Sequence, residues 1–384
     1  MDFTYDDEQT ALRDAVRGLV GKAYADYEQR RRATKEDPGF DEKLWTQMAE
    51  MGLLGLPFSE DDGGVGAGPV EIGIVCRELG RVLAPEPYLS SVVLAGGLVS
   101  AVGTPEQRQE LLGALSGGES VLAFAHDEPG HRWSAEAHDV TADASGALTG
   151  TKDGVLHGAR ADVLVVSAVL PDGGTGLFLV TGDALASVER SGYPTFDGGR
   201  AARITFDATA ATPLGAAAAD VTTSIATVQD ITRIMAANEA LGAMQTQLRA
   251  TTEYLKSRKQ FGVTLNTFQA LTFRAADMYT SVELTHSMVD WATMVVAAGD
   301  PAQVADAAAR AGLQVSRAGR HVGQEAIQLH GGIAMTAEYN VGTFTAHLTA
   351  LDHLLGDAGH HLRALDARLG DHGVIDPLDR AATA

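Results

Sequence analysis

Two short stretches, about sixty residues apart, carry the donor groups best suited to hold an anionic ligand. The first is Arg258-Lys259-Gln260-Phe261-Gly262, followed by Gln269; the second is Gln328-Leu329-His330-Gly331-Gly332. Each joins a fixed donor, a guanidinium or a carboxamide, to glycine that lets backbone approach a ligand closely. A guanidinium ahead of a tight Phe-Gly turn presents a planar fork suited to a pyrophosphate. Gln-x-x-Gly-Gly after a long helical run offers backbone N–H groups to an anionic or nucleotide group. Either stretch alone reads as an ordinary helix end, because a bare Gly-Gly is a C-cap far more often than a ligand cradle.

Such residues need elements that hold them in place. From about residue 5 to 115, apolar side chains recur at helical spacing: Leu12, Val16 and Leu19-Val20, then Leu44-Trp45, Met48 and Met51-Gly52-Leu53-Leu54. A loop rich in Asp and Gly occupies residues 59–66, and the next helix is expected to run through Arg81 and to end at Ala84-Pro85-Glu86-Pro87. Between 120 and 214 the texture changes. Short apolar runs at 121–124, 163–166 and 177–180 are separated by Gly and Asp turns, which predicts strands. After Pro213-Leu214-Gly215 the Ala-rich periodic segments return and continue to about residue 370. This order, without βαβ alternation, speaks against a dinucleotide-binding α/β fold. It predicts an α+β, mainly helical chain with a helical domain at 1–119, a β-domain at 120–216, a helical bundle at 217–371 and a tail at 372–384.

A length of 384 residues predicts two or three domains, and 45% hydrophobic content is that of an ordinary globular chain. No apolar run approaches the roughly 18 residues needed to span a bilayer. The N-terminal Met1-Asp2-Phe3-Thr4-Tyr5-Asp6-Asp7 lacks a basic start and an apolar stretch, so the expectation is no export and a cytoplasmic location. The single cysteine, Cys76, permits no intrachain disulfide and reads as core filler on a helix. A net charge of −21 argues against nucleic acid or an anionic membrane as partner. Local cations such as Arg233 and Arg258 still act at contact range on an anionic small molecule. No metal site is expected.

Taken together, the two donor stretches resemble the flavin-binding signature of the acyl-CoA dehydrogenases, and the likeness extends over about residues 3 to 365. Trp45 through Pro57 with Gly63-Gly64, and Glu78-Leu79-Gly80-Arg81 followed by Ala84-Pro85, look like the family's N-terminal segments. Three features are similar to the small subunit of the pimeloyl-CoA dehydrogenase type, in which two unlike chains associate. They are Pro85-Glu86-Pro87-Tyr88-Leu89, Val155-Leu156-His157-Gly158, and Leu354-Leu355-Gly356-Asp357 with His360-His361.

The resemblance implies an N-terminal helical domain, a central β-domain and a C-terminal four-helix bundle. It implies FAD, with Arg258, Gln269, Gln328, Gly331 and Gly332 contacting the adenosine diphosphate half of a cofactor that sits mainly on a neighbouring subunit, and Phe261 packing beside it. It further implies an acyl-CoA substrate, a large acyl-CoA dehydrogenase-like partner in a heterotetramer or else a homo-oligomer, and an electron-transfer flavoprotein or similar acceptor. Departures are specific. Ala334 stands where the family has a third glycine. The segments that face the flavin ring become Asp127-Glu128-Pro129-Gly130 and Gly154-Val155-Leu156, without the usual hydroxyls and indole.

Acyl-CoA dehydrogenation needs a carboxylate within hydrogen-bond reach of the α-proton. The family's usual base position, counted from Glu338-Tyr339, is Leu355 here. The alternative position, before the Arg that opens the first long C-terminal helix, is Thr232, so Thr232 and Arg233 are substrate-side candidates. Glu239 shares a helix face with Thr232 but lies about 10 Å further along the axis. It is the candidate base, or else a buried Glu paired with an Arg or a partner helix. Asp357 reads as a helix end, and His360-His361 as a solvated face. Two readings follow: an active dehydrogenase using Glu239, or a chain that completes the FAD site of a catalytic large subunit.

Overall fold

The computed structural model describes residues 4–336, 339–354 and 356–372. Glu338, Leu355 and the tail beyond 372 therefore lie outside the described residues.

The first region is helical: α1 (Asp7–Ala23), α2 (Tyr27–Lys35), α3 (Glu42–Glu50), α4 (Pro69–Val82), α5 (Gly97–Val102) and α6 (Pro105–Ser116). Local sequence chemistry sets several of these ends. Asp6 caps α1 reciprocally with Gln9, and Asp26 does the same for α2 with Gln29. Pro69 opens α4 at a position where its missing N–H costs nothing. Between α4 and α5, Tyr88–Gly96 winds as a π-helix, all of it buried, which the apolar periodicity did not reveal.

The middle region is an eight-stranded sheet. Its strands are β1 (Leu122–Ala125), β2 (Thr141–Ala142), β3 (Leu148–Leu156), β4 (Val163–Val169), β5 (Thr175–Val180), β6 (Glu189–Pro194), β7 (Arg200–Thr209) and β8 (Thr212–Pro213), with the short α7 (Gly182–Ser187) before β6. The strand order is β6-β7-β3-β2-β4-β5-β8, and β1 joins β4 in parallel. The continuous apolar runs of β1 and β5 are buried throughout, and that of β4 up to its last residue, as strands covered on both faces require.

The last region is a bundle of α8 (Thr222–Ser257), α9 (Gln269–Ala298), α10 (Pro301–His330), α11 (Val341–Leu354) and α12 (Ala358–Ala367). Its α8 runs for 36 residues and crosses α4 at backbone contact. A Cβ added to Gly80 would lie 2.0 Å from the Glu239 carbonyl oxygen, and one added to Gly242 would lie 1.9 Å from that of Arg77. Only glycine permits this approach. Beside the crossing, the Arg77 guanidinium reaches from α4 to Asn238 of α8 (2.8 Å) and Asp290 of α9 (2.5 Å). Cys76 is fully buried on α4, as expected of core filler. Among the described residues, no helix is long and apolar enough to cross a membrane.

Candidate functional site

The two donor stretches converge at one end of the bundle. Where α8 stops, Arg258 turns extended and the chain forms a two-stranded hairpin of β9 (Lys259–Gln260) and β10 (Val263–Thr264). Phe261 (φ 52°) and Gly262 (φ 81°) form its tip. Two successive left-handed residues suit the twist of a tight hairpin, but the conformation is costly for phenylalanine. The ring is nevertheless 91% exposed. The Leu265 N–H donates to the Arg258 carbonyl (2.9 Å), which folds the hairpin back toward the start of α9, where Gln269 sits exposed.

The second stretch ends α10. Gln328 is exposed on its last turn, and Gly331 leaves the helix at φ 67° with Gly332 exposed beside it. Ala334 is buried within the following 3-10 turn, so its extra methyl is accommodated. An aromatic cluster fixes the two stretches to each other. Tyr254 of α8 stacks on His330 of α10 at 4.5 Å, and Tyr339 packs on both at 6.4 and 5.1 Å. Arg258, Gln269 and Gln328 make no side-chain hydrogen bond or ion pair among the described residues, and their donors face outward.

The carboxylate on α8 is placed differently. Glu239 is 8% exposed, and its Oε1 accepts from His347 Nε2 at 2.8 Å. The other ring nitrogen, Nδ1, donates to Asp197 Oδ2 at 2.9 Å. Burial opposes a charged imidazole here, but hydrogen bonds to Asp197 and Glu239 outweigh it and raise His347 to about 9. For Asp197, burial also works against the charge, and the same histidine more than reverses this, holding the carboxyl below its ordinary range. Thus Glu239 is paired across to a neighbouring element, with a histidine rather than an arginine. Of the substrate-side candidates, Thr232 is fully buried with its hydroxyl donating to the Val228 carbonyl (2.7 Å), and Arg233 pairs with Asp230 at 2.6 Å.

The segments expected to face a flavin ring, Asp127-Glu128-Pro129-Gly130 and Gly154-Val155-Leu156, lie just after β1 and at the end of β3. Glu128 is a hub of the sheet: its carboxylate accepts from the N–H groups of His138, Asp139 and Val140 and from the buried Lys152 ammonium (2.7 Å). The Asp127 carbonyl accepts from Asp153 N–H, and burial pushes the Asp127 carboxyl up to about 6. Leu156 is half-buried, and the next residue, His157, is latched to the N-terminal helices through Ser90 (3.0 Å) and the Pro85 carbonyl (3.2 Å).

The segment after Pro129 reaches from the sheet to the bundle. Trp133 Nε1 donates to the His353 carbonyl at the end of α11 (3.1 Å), and its ring packs edge-on against His360 of α12 at 5.5 Å. The Ser134 carbonyl accepts from His126 Nε2 (2.6 Å) and from Gln229 of α8 (3.4 Å). Nearby, the walls of Arg233, Gly312, Asp352, Leu354, Gly356 and His361 enclose a cavity of only about 30 Å³. Its carboxylate, Asp352, accepts from the Ser316 hydroxyl. Asp357 caps α12, accepting from His360 N–H (2.8 Å), as its reading as a helix end anticipated. The solvated-face reading of His360-His361 is corrected: His361 is 4% exposed, its ring seated against Gly312, because the α12 register turns it inward. A separate apolar recess of about 510 Å³ lies between α4, α5 and α8, lined by Phe58, Ile72, Val93 and Val228 among others. Glu239 borders neither space.

Sequence reasoning missed Trp133, His353, His347 and Asp197. Of these only Trp133 carried a signal, an indole in the polar loop directly after the Asp-Glu-Pro-Gly segment.

Comparison with known proteins follows the same lines. The model for the acyl-CoA dehydrogenase N-terminal domain matches residues 6–119, and that for the C-terminal domain matches residues 222–370. The acyl-CoA dehydrogenase FadE27 of Mycobacterium tuberculosis is 30% identical over 373 residues, covering 93% of this chain and 96% of that protein. Among solved structures, the ChsE4-ChsE5 complex from Mycobacterium tuberculosis superposes with a TM-score of 0.86 at 28% identity, covering 98% of this chain and 100% of the other. The Tcur3481-Tcur3483 steroid ACAD superposes with a TM-score of 0.84 at 30% identity, covering 95% and 98%.

Proposed function

Because the chain belongs to the acyl-CoA dehydrogenase family, we propose that it serves as the flavin-completing member of a pair of like-folded chains, with the thioester oxidised in the partner's cleft. The chain is a subunit of an FAD-linked acyl-CoA dehydrogenase. When bound, FAD accepts the hydride that leaves the acyl group. Two parts of the chain bear on that cofactor in opposite ways.

The outward ridge fits. Arg258 offers a forked, charged donor to a pyrophosphate, Gln269 and Gln328 offer carboxamides, and Gly331 and Gly332 leave backbone uncovered by side chains. These residues would hold the adenosine diphosphate half of a neighbour's FAD, with the exposed Phe261 ring covered by that neighbour. The segments expected to face a flavin ring in this chain fit less well. The observation that carries the proposal is Trp133, in the loop directly after Asp127-Glu128-Pro129-Gly130: its indole bonds the His353 carbonyl and packs against His360, tying that loop to α11 and α12. The cavity within the bundle walled by Arg233, Gly356 and His361 holds about 30 Å³, room for roughly one water. Glu239 takes a positioning role: it holds His347, and through it Asp197, so that α8, α11 and the turn between β6 and β7 stay in register.

The name of the ChsE4-ChsE5 complex describes an assembly of two chains, which supports the same arrangement here. An unlike large subunit is the partner we assign, in a heterotetramer. The substrate is an acyl-CoA, for which the steroid relative makes a bulky acyl group the first to try. An electron-transfer flavoprotein or similar acceptor would reoxidise the flavin, in the cytoplasm. The experiment is purification of the native complex with its subunits identified by mass spectrometry and its flavin counted. One FAD per pair of unlike chains is expected. A homo-oligomer with one FAD per chain that oxidises acyl-CoA would sink the proposal.

A further inference from the structure

Resting on that reading, we infer that Trp133 is a wedge that keeps the tricyclic flavin ring out of this chain's own cleft. In a pair of like-folded chains, each member brings one cleft and one donor ridge. A wedge in one cleft leaves one site, formed by this chain's ridge and the partner's cleft, and leaves the partner's ridge facing a closed door.

Three features make Trp133 a built obstruction. Its indole N–H bonds a main-chain carbonyl, that of His353, and its ring packs edge-on to His360, so it touches both α11 and α12. Its backbone sits at φ 60°, a conformation that a bulky residue keeps only where the surroundings over-determine it. Those surroundings are present on both sides. Glu128 gathers three consecutive backbone N–H groups at residues 138–140, and the Ser134 carbonyl is held by His126 from the sheet and by Gln229 from α8. The loop therefore spans from sheet to bundle with Trp133 at its crossing point. The indole is half-buried against α11 and α12, and the cavity within the bundle beside Gly356 and His361 amounts to about 30 Å³.

The test uses the purified native pair and two variants of this chain. Flavin is extracted and counted against protein after saturation with free FAD, and hydrogen exchange is followed at residues 130–138 and 353–361. The wild-type pair is expected to hold one flavin. Trp133→Gly is expected to speed exchange in both segments at least tenfold and to raise the count toward two, whereas Trp133→Phe, which keeps a ring in the slot, stays at one. Should Trp133→Gly fail to assemble, His360→Ala removes the ring on the opposite wall and is read by the same two measurements, with the same changes expected. A count that stays at one while the loop is released overturns the wedge, as does a loop that stays protected without the indole. Two flavins in the wild-type pair is a different result: it removes the flavin-completing role itself.

Discussion

Glu239 and His347 meet at 2.8 Å across the packing of α8 on α11, and the same imidazole reaches Asp197 in the turn between β6 and β7. One ring thus joins two bundle helices to the sheet. The Arg30 guanidinium adds the N-terminal helices, donating to the Asp197 carbonyl (3.1 Å) and to that of Leu83 (2.6 Å). Three regions of the chain share one buried ionic node.

The node predicts a pH dependence. Burial disfavours the His347 cation, but its two carboxylates prevail and raise it to about 9 from an ordinary 6.5. Its contribution is fully present below about pH 6.5 and is lost as pH rises through about 9. The separation corresponds to on the order of 3 kcal/mol. Urea unfolding of wild type and His347→Gln should therefore differ most near pH 6 and converge by about pH 9.5. A difference that is constant across that range would contradict the assignment. Comparing the two proteins cancels the buried neutral histidines His126 and His157, which act with the opposite sign because burial lowers each to about 4.

Glu239→Gln separates positioning from catalysis. The carboxamide keeps the volume and can still accept from His347, but it cannot take up a proton at neutral pH. Turnover of the assembled complex, measured with an electron-accepting dye, should stay within about threefold, while stability falls by about 1–3 kcal/mol from the lost charged hydrogen bond. A loss of roughly two to four orders of magnitude at unchanged flavin content would instead identify Glu239 as the base.

For Arg258→Ala the effect should fall on the cofactor alone. The side chain is exposed and supports nothing inside the subunit, so the unfolding transition of the isolated chain should not move. Loss of a charged, forked contact should weaken FAD retention by about 1.5–3 kcal/mol, or roughly ten- to a hundredfold. Flavin dissociation measured by fluorescence on the intact complex provides the check, and an unchanged rate and affinity would remove Arg258 from the site.

At the crossing of α4 and α8, Gly242→Ala should be destabilising. Its new methyl carbon would sit 1.9 Å from the Arg77 carbonyl oxygen, a backbone atom that cannot rotate away. A cost of about 1–3 kcal/mol or more is expected as the helices separate. Gly18→Ala on the exposed face of α1 meets nothing within 4 Å and should stabilise by about 0.5–1 kcal/mol. Equal effects of the two changes in thermal melts would mean that the helices do not cross at these glycines.

Much of this protein was legible from short stretches of sequence. Helical spacing located α1, α3 and α4, apolar runs located β1, β4 and β5, and the donors of the ridge were recognisable from Arg258-Lys259-Gln260-Phe261-Gly262 and Gln328-Leu329-His330-Gly331-Gly332. These features are encoded by neighbours a few residues apart, where periodicity, turn chemistry and capping act directly. Tertiary structure alone decided what Glu239 does, because its partner His347 is 108 residues away and Asp197 is 150 residues from that histidine. It alone brought Trp133 to His353 across 220 residues. No local pattern encodes such pairings. They arise when packed helices and a sheet turn particular side chains toward one another, and a buried charge or a wedged indole is stable only where the rest of the fold supplies its partner.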